Sequence, residues 1–215
     1  MPRTETNVRT LYQYSELSDT AKEKAREWLR DCNIREPFDH DYQYEDFATI
    51  AGILGIEFKT RTVNLMNGKT RREPCIWYSG FSSQGDGACF EGTYRYAPGA
   101  SAKIREHAPQ DAELHRIADE LRDVQRRHFY KLYATVVHTG HYYHSRSVSI
   151  NVEHGEDTYR DIGDASETVS EALRDLMDWL YKQLEAEYEY QLSDEAIAES
   201  IEANEYEFTE AGGRT

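Results

Sequence analysis

The sequence predicts an α+β fold: a mainly antiparallel sheet of four to six strands packed by helices, with an acidic helical segment at the C-terminal end. Alternating apolar and polar runs joined by turn sequences indicate hairpins. Apolar residues at helical spacing precede, separate and follow these runs, which is typical of an α+β fold. With 215 residues and no repeat or low-complexity linker, we expect a single domain over 1–215.

The predicted elements follow from caps, breakers and periodicity. Ser18 has the character of an N-cap, and Gly55 stands where a left-handed helix cap is expected. Asn67-Gly68 and Thr139-Gly140 are turn sequences between strands. The predicted helices cover about 19–32, 41–54, 111–127 and 194–204. A further helix is predicted from an apolar stripe between Val169 and Leu184, and Asp164 with Glu167 resembles its capping box. The predicted strands cover 11–14, 56–65, 76–81, 88–96, 129–138 and 143–152, with a possible last one at 205–208 and a frayed tail over 211–215.

Composition favours a packed protein of the cytoplasm. Hydrophobic residues make up only 39% of the chain, but aromatic residues make up 12% and include 16 tyrosines, which disordered chains lack. The three cysteines have no metal-site spacing and are expected to be reduced thiols. No apolar run reaches the ~18–20 residues that span a bilayer, so we expect a soluble protein without membrane contact.

The negative charge is concentrated at one end of the chain. Residues 1–152 form a neutral body with 21 acidic and 21 basic residues, whereas residues 153–215 hold 19 acidic and 4 basic residues and account for the whole net charge of −15. Such a segment, acidic and helical over 153–210, repels nucleic acid and membrane surfaces and attracts basic protein surfaces. A purely solvated face is the alternative interpretation.

Aromatic residues among these acids favour a protein interface, because rings anchor a contact and charges steer it. The partner is expected to be a protein with a basic surface, bound without direct nucleic-acid contact. The oligomeric state stays open. The predicted partner-binding residues are Glu185, Glu187, Tyr188, Glu189, Glu199, Glu202 and Tyr206.

The glycine-rich segment 80–87 has two interpretations. It resembles a phosphate-binding loop, but such a loop leads from a strand into a helix and carries a Lys and a Ser or Thr. Here the segment lies between two predicted strands, so a hairpin turn is favoured over a ligand contact. If it binds a ligand, the candidate residues are Ser82, Gln84 and Asp86.

Three histidines in the 138–144 turn are candidate metal ligands. His138, His141 and His144 are three residues apart, and neutral imidazole is a common ligand of zinc and similar ions. In a hairpin, His138 and His144 are expected to lie near each other with His141 at the tip. No known zinc signature is complete, so incidental histidines on a wet hairpin are favoured. We therefore expect no cofactor, with a divalent metal and an enzymatic role for both loops as the alternative.

Four stretches resemble a family of phage and prophage proteins often labelled as the antitoxin of a toxin–antitoxin stability system. They are YSELSDTAKEKAREW (14–28), YSGFSSQGDGACFEG (78–92), HTGHYYHS (138–145) and NEYEFT (204–209). The resemblance implies a phage-encoded accessory protein that acts in the host cytoplasm. It carries over no catalytic or binding residue, and it leaves an antitoxin and an inhibitor of a host defence such as CRISPR or restriction equally open.

Overall fold

The computed structural model describes residues 9–66, 68–155 and 161–214, and it confirms the α+β fold class. The chain divides into two compact units, residues 41–185 (the central unit) and residues 1–40 with 186–215 (the terminal unit). The prediction of one domain stays a prediction. No helix among the described residues combines the length and the apolar character needed to cross a bilayer.

Six α-helices lie in the described part of the chain, and Ser18, Asp111 and Ser193 cap three of them through their side chains. The helices are α1 (Asp19–Arg35), α2 (Asp41–Leu54), α3 (Ala100–His107), α4 (Ala112–Arg127), α5 (Ala165–Gln191) and α6 (Asp194–Ala203). The strands are β1 (Tyr12–Gln13), β2 (Ile56–Phe58), β3 (Thr60–Asn64), β4 (Thr70–Pro74), β5 (Ile76–Ser79), β6 (Gly87–Phe90), β7 (Gly92–Arg95), β8 (Leu132–His138), β9 (Val148–His154) and β10 (Glu207–Phe208).

The central unit is built on a four-stranded antiparallel sheet in the order β2-β7-β8-β9. Tyr94, Ala134 and Val152 lie opposite one another across three of its strands and are buried. Their shared face follows from the two-residue period of side chains along a strand. The strands predicted from alternation are therefore confirmed for β7, β8 and β9, three adjacent strands of the main sheet.

A three-way junction joins this sheet to two further hairpins, β3-β4 and β5-β6. At the junction, the chain passes from one pair of strands to the next through a single residue. These residues are Lys59 (between β2 and β3), Cys75 (between β4 and β5) and Glu91 (between β6 and β7). Their backbones form a closed ring: Lys59 N donates to Glu91 O (2.9 Å), Glu91 N to Cys75 O (2.9 Å) and Cys75 N to Lys59 O (2.7 Å). The backbone amides of all three residues are thus hydrogen-bonded, although the residues themselves lie between strands and not within them.

Aromatic rings form the core between the helices and the sheet. Phe47 of α2 is fully buried, and its ring lies within 6.4 Å of those of Phe58, Phe90 and Trp179. Trp179 of α5 also donates its indole N–H to Asp111 Oδ2 at 2.8 Å. The first part of α5 is therefore a core element of the central unit, with its leucine stripe buried.

The terminal unit has its own small core. Ala21, Ala25 and Leu29 of α1 pack with Ile197 and Ile201 of α6, and Phe208 completes the cluster. The strands β1 and β10, which are far apart in sequence, pair antiparallel. Trp28 contacts the rings of Tyr206 and Phe208 edge-on, and the Arg214 guanidinium lies 4.8 Å from the centre of the Tyr206 ring.

The tail predicted to fray is instead folded as far as Arg214, the last described residue. Thr209 N donates to Gly213 O and Gly212 N to Thr209 O. Gly212 has φ +80°, and a Cβ there would lie 2.1 Å from the Ala21 carbonyl oxygen. Only glycine allows this backbone conformation and this close approach together. The prediction was wrong because it considered the position in the chain and not the contacts of the backbone.

Other elements differ from their predictions. The helix α3 was missed because Pro98-Gly99 is typical of a terminator and Ile104 is its only large buried residue. The predicted strand 56–65 is interrupted at Lys59 by the junction. Asn67, half of the predicted turn, and residues 156–160 of the acidic segment lie outside the described residues.

The charge boundary at residue 152 does not coincide with a structural boundary. The terminal unit contains 8 basic and 17 acidic residues, a net charge of −9, and the central unit contains 17 basic and 23 acidic residues, a net charge of −6. Both units are therefore negative, and the boundary between them at residue 185 falls within α5. The division into a neutral body and an acidic helical segment stays a prediction.

Candidate functional site

The predicted partner-binding residues fall in three places. Glu187, Tyr188 and Glu189 lie in the last turns of α5, Glu199 and Glu202 lie on α6, and Tyr206 precedes β10. These six belong to the terminal unit, whereas Glu185 belongs to the central unit. Glu189, Glu199 and Glu202 are exposed, and Glu187 is half-buried with its Oε1 accepting from Gln191 Nε2 at 2.9 Å.

The helix α6 turns one acidic face to the solvent. Ser193 caps its N-terminus by accepting from Ala196 N at 3.2 Å, and Ile197 and Ile201 anchor its other face in the core. The outward positions at spacings of four and three residues are Glu195, Glu199 and Glu202, all exposed. We call these three residues and Glu189 the acidic face.

The acidic face has no counter-ions among the described residues of the chain. Two arginines of α1 instead contact Asp194, which is not part of this face. Arg30 forms an ion pair with Asp194, and Arg26 Nε lies 3.5 Å from the same carboxylate. Carboxylates four residues apart on a helix repel each other by about 0.2–0.5 kcal/mol. The face is therefore electrostatically unfavourable in the isolated chain.

The aromatic side chains of this region differ in accessibility. Tyr188 contacts the Phe38 ring edge-on, and Tyr206 lies between Trp28 and Arg214, so both contribute to packing. Tyr190 is 51% exposed and is the ring that stands free for a contact. The alternation of Tyr and Glu at residues 188–190 indicated an interface, but it does not show which of the two rings is packed in the core.

The 80–87 loop is a hairpin turn between β5 and β6, as favoured from the sequence. Asp86 closes it: Oδ2 accepts from the backbone amides of Ser83 (2.7 Å) and Ser82 (2.8 Å), and Oδ1 accepts from Ser83 Oγ at 2.8 Å. These hydrogen bonds hold the pKa of Asp86 below its usual value of 3.8, and the bonds from the two backbone amides have the largest effect. Gln84 is exposed at the tip.

Replacing Asp86 with Ala is expected to open this loop. Three acceptor bonds are lost, yet the site is solvent-accessible, so the free energy of unfolding should fall by only about 1 kcal/mol or less. Amide hydrogen exchange at Ser82 and Ser83 should accelerate, while Gln84→Ala, the matched control, leaves it unchanged. Because the folded-state pKa is depressed, wild type should show the same opening as the pH falls below 3.8 and through that pKa. Unchanged protection in Asp86→Ala would contradict the closing role.

The three histidines do not form the predicted arrangement. His138 ends β8 opposite Val148, not His144, and its Nε2 lies 3.0 Å from Tyr142 O. His144 accepts from Arg146 N through Nδ1 at 3.0 Å, and His141 is exposed against Tyr142. The connection is a longer loop, because the amides of Thr139 and Gly140 bond to Ser147 O. No three His, Cys, Asp or Glu side chains in the described ranges are placed to hold a metal ion.

The two loops singled out from the sequence lie against each other. A Cβ at Gly85 would meet the Tyr142 ring at 3.2 Å, and one at Gly87 would meet His144 Cβ at 2.4 Å. Beside this contact, the Trp77 ring stacks on Tyr143 at 5.7 Å and lies 5.8 Å from His138. Glycines at 85 and 87 thus allow close packing between loops, a role different from cradling a phosphate.

Glu91 is the buried charge of the junction, only 8% exposed. Its Oε2 accepts from Lys59 Nζ at 2.8 Å and its Oε1 from His138 N at 3.0 Å. Burial by itself raises the pKa of Glu91, but the bonds from Lys59 and from the His138 amide outweigh burial and leave the pKa below its usual 4.5. The carboxylate ties the junction to the end of β8.

We expect Glu91→Ala to destabilise the central unit by about 1–3 kcal/mol, because it leaves the His138 amide without its acceptor. The Lys59 ammonium is exposed and can be solvated, so its loss of a partner adds little. Urea unfolding measures the change. Glu57→Ala, an exposed carboxylate of β2, is the control and should change stability by less than about 0.5 kcal/mol. Equal stability of both variants would contradict the assignment.

The cysteines of the central unit have the character of core residues. Cys89 is fully buried, and burial raises the pKa of its thiol to about 12. Burial likewise raises the pKa of the Cys75 thiol. Since the thiolate is the nucleophile, neither side chain is suited to nucleophilic chemistry.

A comparison with known protein families gives one result. The family model described as a domain of unknown function (DUF8835) matches residues 40–194, which include the whole central unit. No curated protein and no solved structure matches the chain.

Proposed function

Because the chain belongs to the DUF8835 family, whose description assigns no activity, we propose its function from its own residues: it is a non-enzymatic protein that binds and inhibits a basic protein through the acidic face. The observation that carries the proposal is that the exposed carboxylates of this face have no counter-ions among the described residues. Their mutual repulsion would be relieved by a complementary surface.

The sign of the charge selects the class of partner. A face of carboxylates is repelled by nucleic acid and by anionic membranes, and it attracts Lys- and Arg-rich protein surfaces. Proteins that handle nucleic acid have such surfaces. Carboxylates placed where phosphates would bind can block such a surface, so the inhibition is by occlusion and resembles nucleic-acid mimicry.

The anchor of this contact is Tyr190, which is exposed next to Glu189 at the end of α5. Tyrosine is enriched at interface hot spots because its large ring loses little conformational entropy on binding. The charges of α6 and the ring of Tyr190 thus supply the two components of a protein interface, steering and anchoring.

The resemblance to phage and prophage proteins supports a proposal for where this inhibition takes place. Under this proposal the protein is phage-encoded, acts in the host cytoplasm, and has as its target either a toxin or a nucleic-acid-handling host defence complex such as CRISPR or restriction. The proposal requires a basic surface on either target.

The test is an affinity capture of the tagged full-length protein from lysate of a phage-infected host, at low and at raised salt. Coulombic contacts between exposed charges weaken as the Debye length shortens from about 10 Å at 0.1 M to about 3 Å at 1 M salt. We expect a basic protein that is retained at low salt and lost at high salt. Capture that is insensitive to salt, or the absence of any basic protein, would overturn the proposal.

A second candidate function is ligand binding where the 80–87 and 138–147 loops meet. Gly85 and Gly87 contact the 138–147 loop beside the rings of Trp77, His138 and Tyr143. This close contact between the two loops favours a ligand site there. Metal analysis of the purified protein and thermal shifts with zinc, manganese and nickel test the metal-dependent form. Absence of bound metal together with absence of any shift would rule that form out.

A further inference from the structure

A small cavity in the terminal unit lies between the C-terminal end of α1, the segment that follows it and the last turn of α5. Its volume is about 170 Å³, and all its lining residues belong to the terminal unit. This is less than the ~300–1,000 Å³ of small-molecule pockets, so the cavity suits a single side chain better than a larger ligand. It is lined by Asn33, Glu36, Pro37, Phe38, Asp39, Tyr188, Gln191 and Leu192.

Two aromatic rings form walls of this cavity. Phe38 and Tyr188 are each half-buried and contact each other edge-on, with their ring centres 5.6 Å apart. The Phe38 ring is also stacked on the His40 imidazole, which restricts its position. The face of an aromatic ring carries partial negative charge and attracts a cation that lies over it. The walls therefore favour a flat, positively charged group.

The charges around the cavity select the same sign. Among the described residues no Lys, Arg or His lines it, and the exposed Glu36 carboxylate has neither a hydrogen bond nor an ion pair. Arg30 Nε lies 2.9 Å from Leu192 O, but the charge of this arginine is paired with Asp194. Since the terminal unit has a net charge of −9, the cavity should attract a cation.

The cavity is close in the chain to the acidic face and is held in place by Gln191. Tyr188 and Gln191 lie in the same turn of α5 as Glu189. Gln191 Nε2 donates to Asp39 O at 3.2 Å and to Glu187 Oε1 at 2.9 Å, so it fastens the segment after α1 to the end of α5. A preformed pocket beside a charged surface is a typical place for a hot-spot side chain of a partner.

We propose that this cavity receives an arginine side chain of the basic partner, and this inference rests on the proposed function. Arginine fits better than lysine because its planar guanidinium is more weakly hydrated, stacks on aromatic rings and donates to a carboxylate at the same time. The guanidinium lies against the rings of Phe38 and Tyr188 and pairs with Glu36. Pro37 and Leu192 supply apolar contacts for its methylene stem.

The direct test is a titration of the full-length protein with the peptide acetyl-Gly-Arg-Gly-amide, followed by NMR at the side-chain amides of Asn33 and Gln191. Two further peptides carry lysine or citrulline, the neutral isostere of arginine, in its place. We expect the arginine peptide to shift both signals with a dissociation constant on the order of 1 mM, and citrulline to bind at least about tenfold more weakly. No shift, or equal binding of citrulline, would overturn the proposal, and equal binding of lysine would overturn the choice of arginine.

Variants of the cavity test which residues hold the peptide. Tyr188→Leu should weaken binding of the arginine peptide about tenfold, and Glu36→Gln about threefold, because the first removes a ring and the second an exposed charge. Glu27→Gln, which removes an exposed carboxylate of α1 outside the cavity, is the matched control and should bind as wild type does. The thermal unfolding midpoint checks that Tyr188→Leu stays folded, and Glu36→Gln tests the site without removing any packed group.

The purified partner separates this inference from the proposed function. We expect Tyr188→Leu to weaken partner binding about tenfold, as it does for the peptide, and Glu27→Gln to leave it unchanged. If Tyr188→Leu and Glu36→Gln bind the partner as tightly as wild type while reversal of the acidic face still weakens binding, the cavity takes no part and the proposed function stands. The absence of any basic partner would overturn both, whereas the peptide titration reports on the cavity alone.

Discussion

Reversing Glu189, Glu199 and Glu202 to Lys together is expected to weaken binding of the captured basic partner about 100-fold. Each reversal removes one attraction and adds one repulsion, worth about 1 kcal/mol per exposed site, so three sites give about 3 kcal/mol. The three carboxylates are exposed and unpaired in the described part of the chain, so their reversal breaks no internal ion pair. Surface plasmon resonance with the purified partner measures the change.

Loss of folding would not explain this result. Glu199 and Glu202 lie in the C-terminal half of α6, and Lys near the C-terminus of a helix interacts favourably with the helix dipole. The thermal unfolding midpoint should therefore stay level or rise. The matched control reverses Glu57 and Glu106, exposed carboxylates of the central unit, and should change the affinity less than threefold. If the control weakened binding as much as the acidic-face variant, net charge and not this face would be responsible.

Phe47→Ala is expected to cost about 3–5 kcal/mol of the free energy of unfolding. The side chain is 0% exposed and contacts Phe58, Phe90 and Trp179, so truncation removes buried apolar surface and leaves a cavity between α2, the strands and α5. Since a typical domain is stable by only about 5–15 kcal/mol, this variant should be close to unfolding at 37 °C. Urea titration followed by tryptophan fluorescence measures it.

Tyr42→Ala provides the control for Phe47→Ala, because it truncates an aromatic ring of the same helix that is 76% exposed. Its effect should stay within about 0.5 kcal/mol. A loss below about 1 kcal/mol in Phe47→Ala would contradict the assignment of this ring as the centre of the core.

Local chemistry predicted the helices well. Ser18 was identified as a cap from sequence, and its hydroxyl accepts the expected amide hydrogen bond from Ala21. Gly55 was expected in a left-handed conformation and has φ +88°. Such features act within four or five residues, so no knowledge of the fold is needed to recognise them.

Long-range arrangements could not be predicted in the same way. The run 56–65 reads as one strand, yet its partner changes at Lys59 because Cys75 and Glu91 meet it there. Nothing at residue 59 alone indicates this. The pairing of β1 with β10 likewise joins the two ends of the chain, and alternation along one strand does not specify a partner.

The sequence indicated the acidic face but did not single out His154, which is buried at the end of β9. A signal was available, because Val148, Ile150, Val152 and His154 share one parity along β9, and the apolar character of the first three marks that side as the inward one. A histidine on the inward side of a strand is a candidate for burial. What the sequence could not show is that neither ring nitrogen of His154 has a hydrogen-bond partner among the described residues, because this depends on the neighbours that the fold brings to it.

The most direct test of the acidic face is the salt dependence of the affinity for the captured partner, measured for wild type and for the triple reversal between 50 and 500 mM salt (a range set by the screening length, from about 14 to 4 Å). We expect the wild-type dissociation constant to rise steeply with salt and that of the triple variant to rise little, so that the two curves converge at high salt. Parallel curves would show that the acidic face takes no part in binding and would contradict the proposed function.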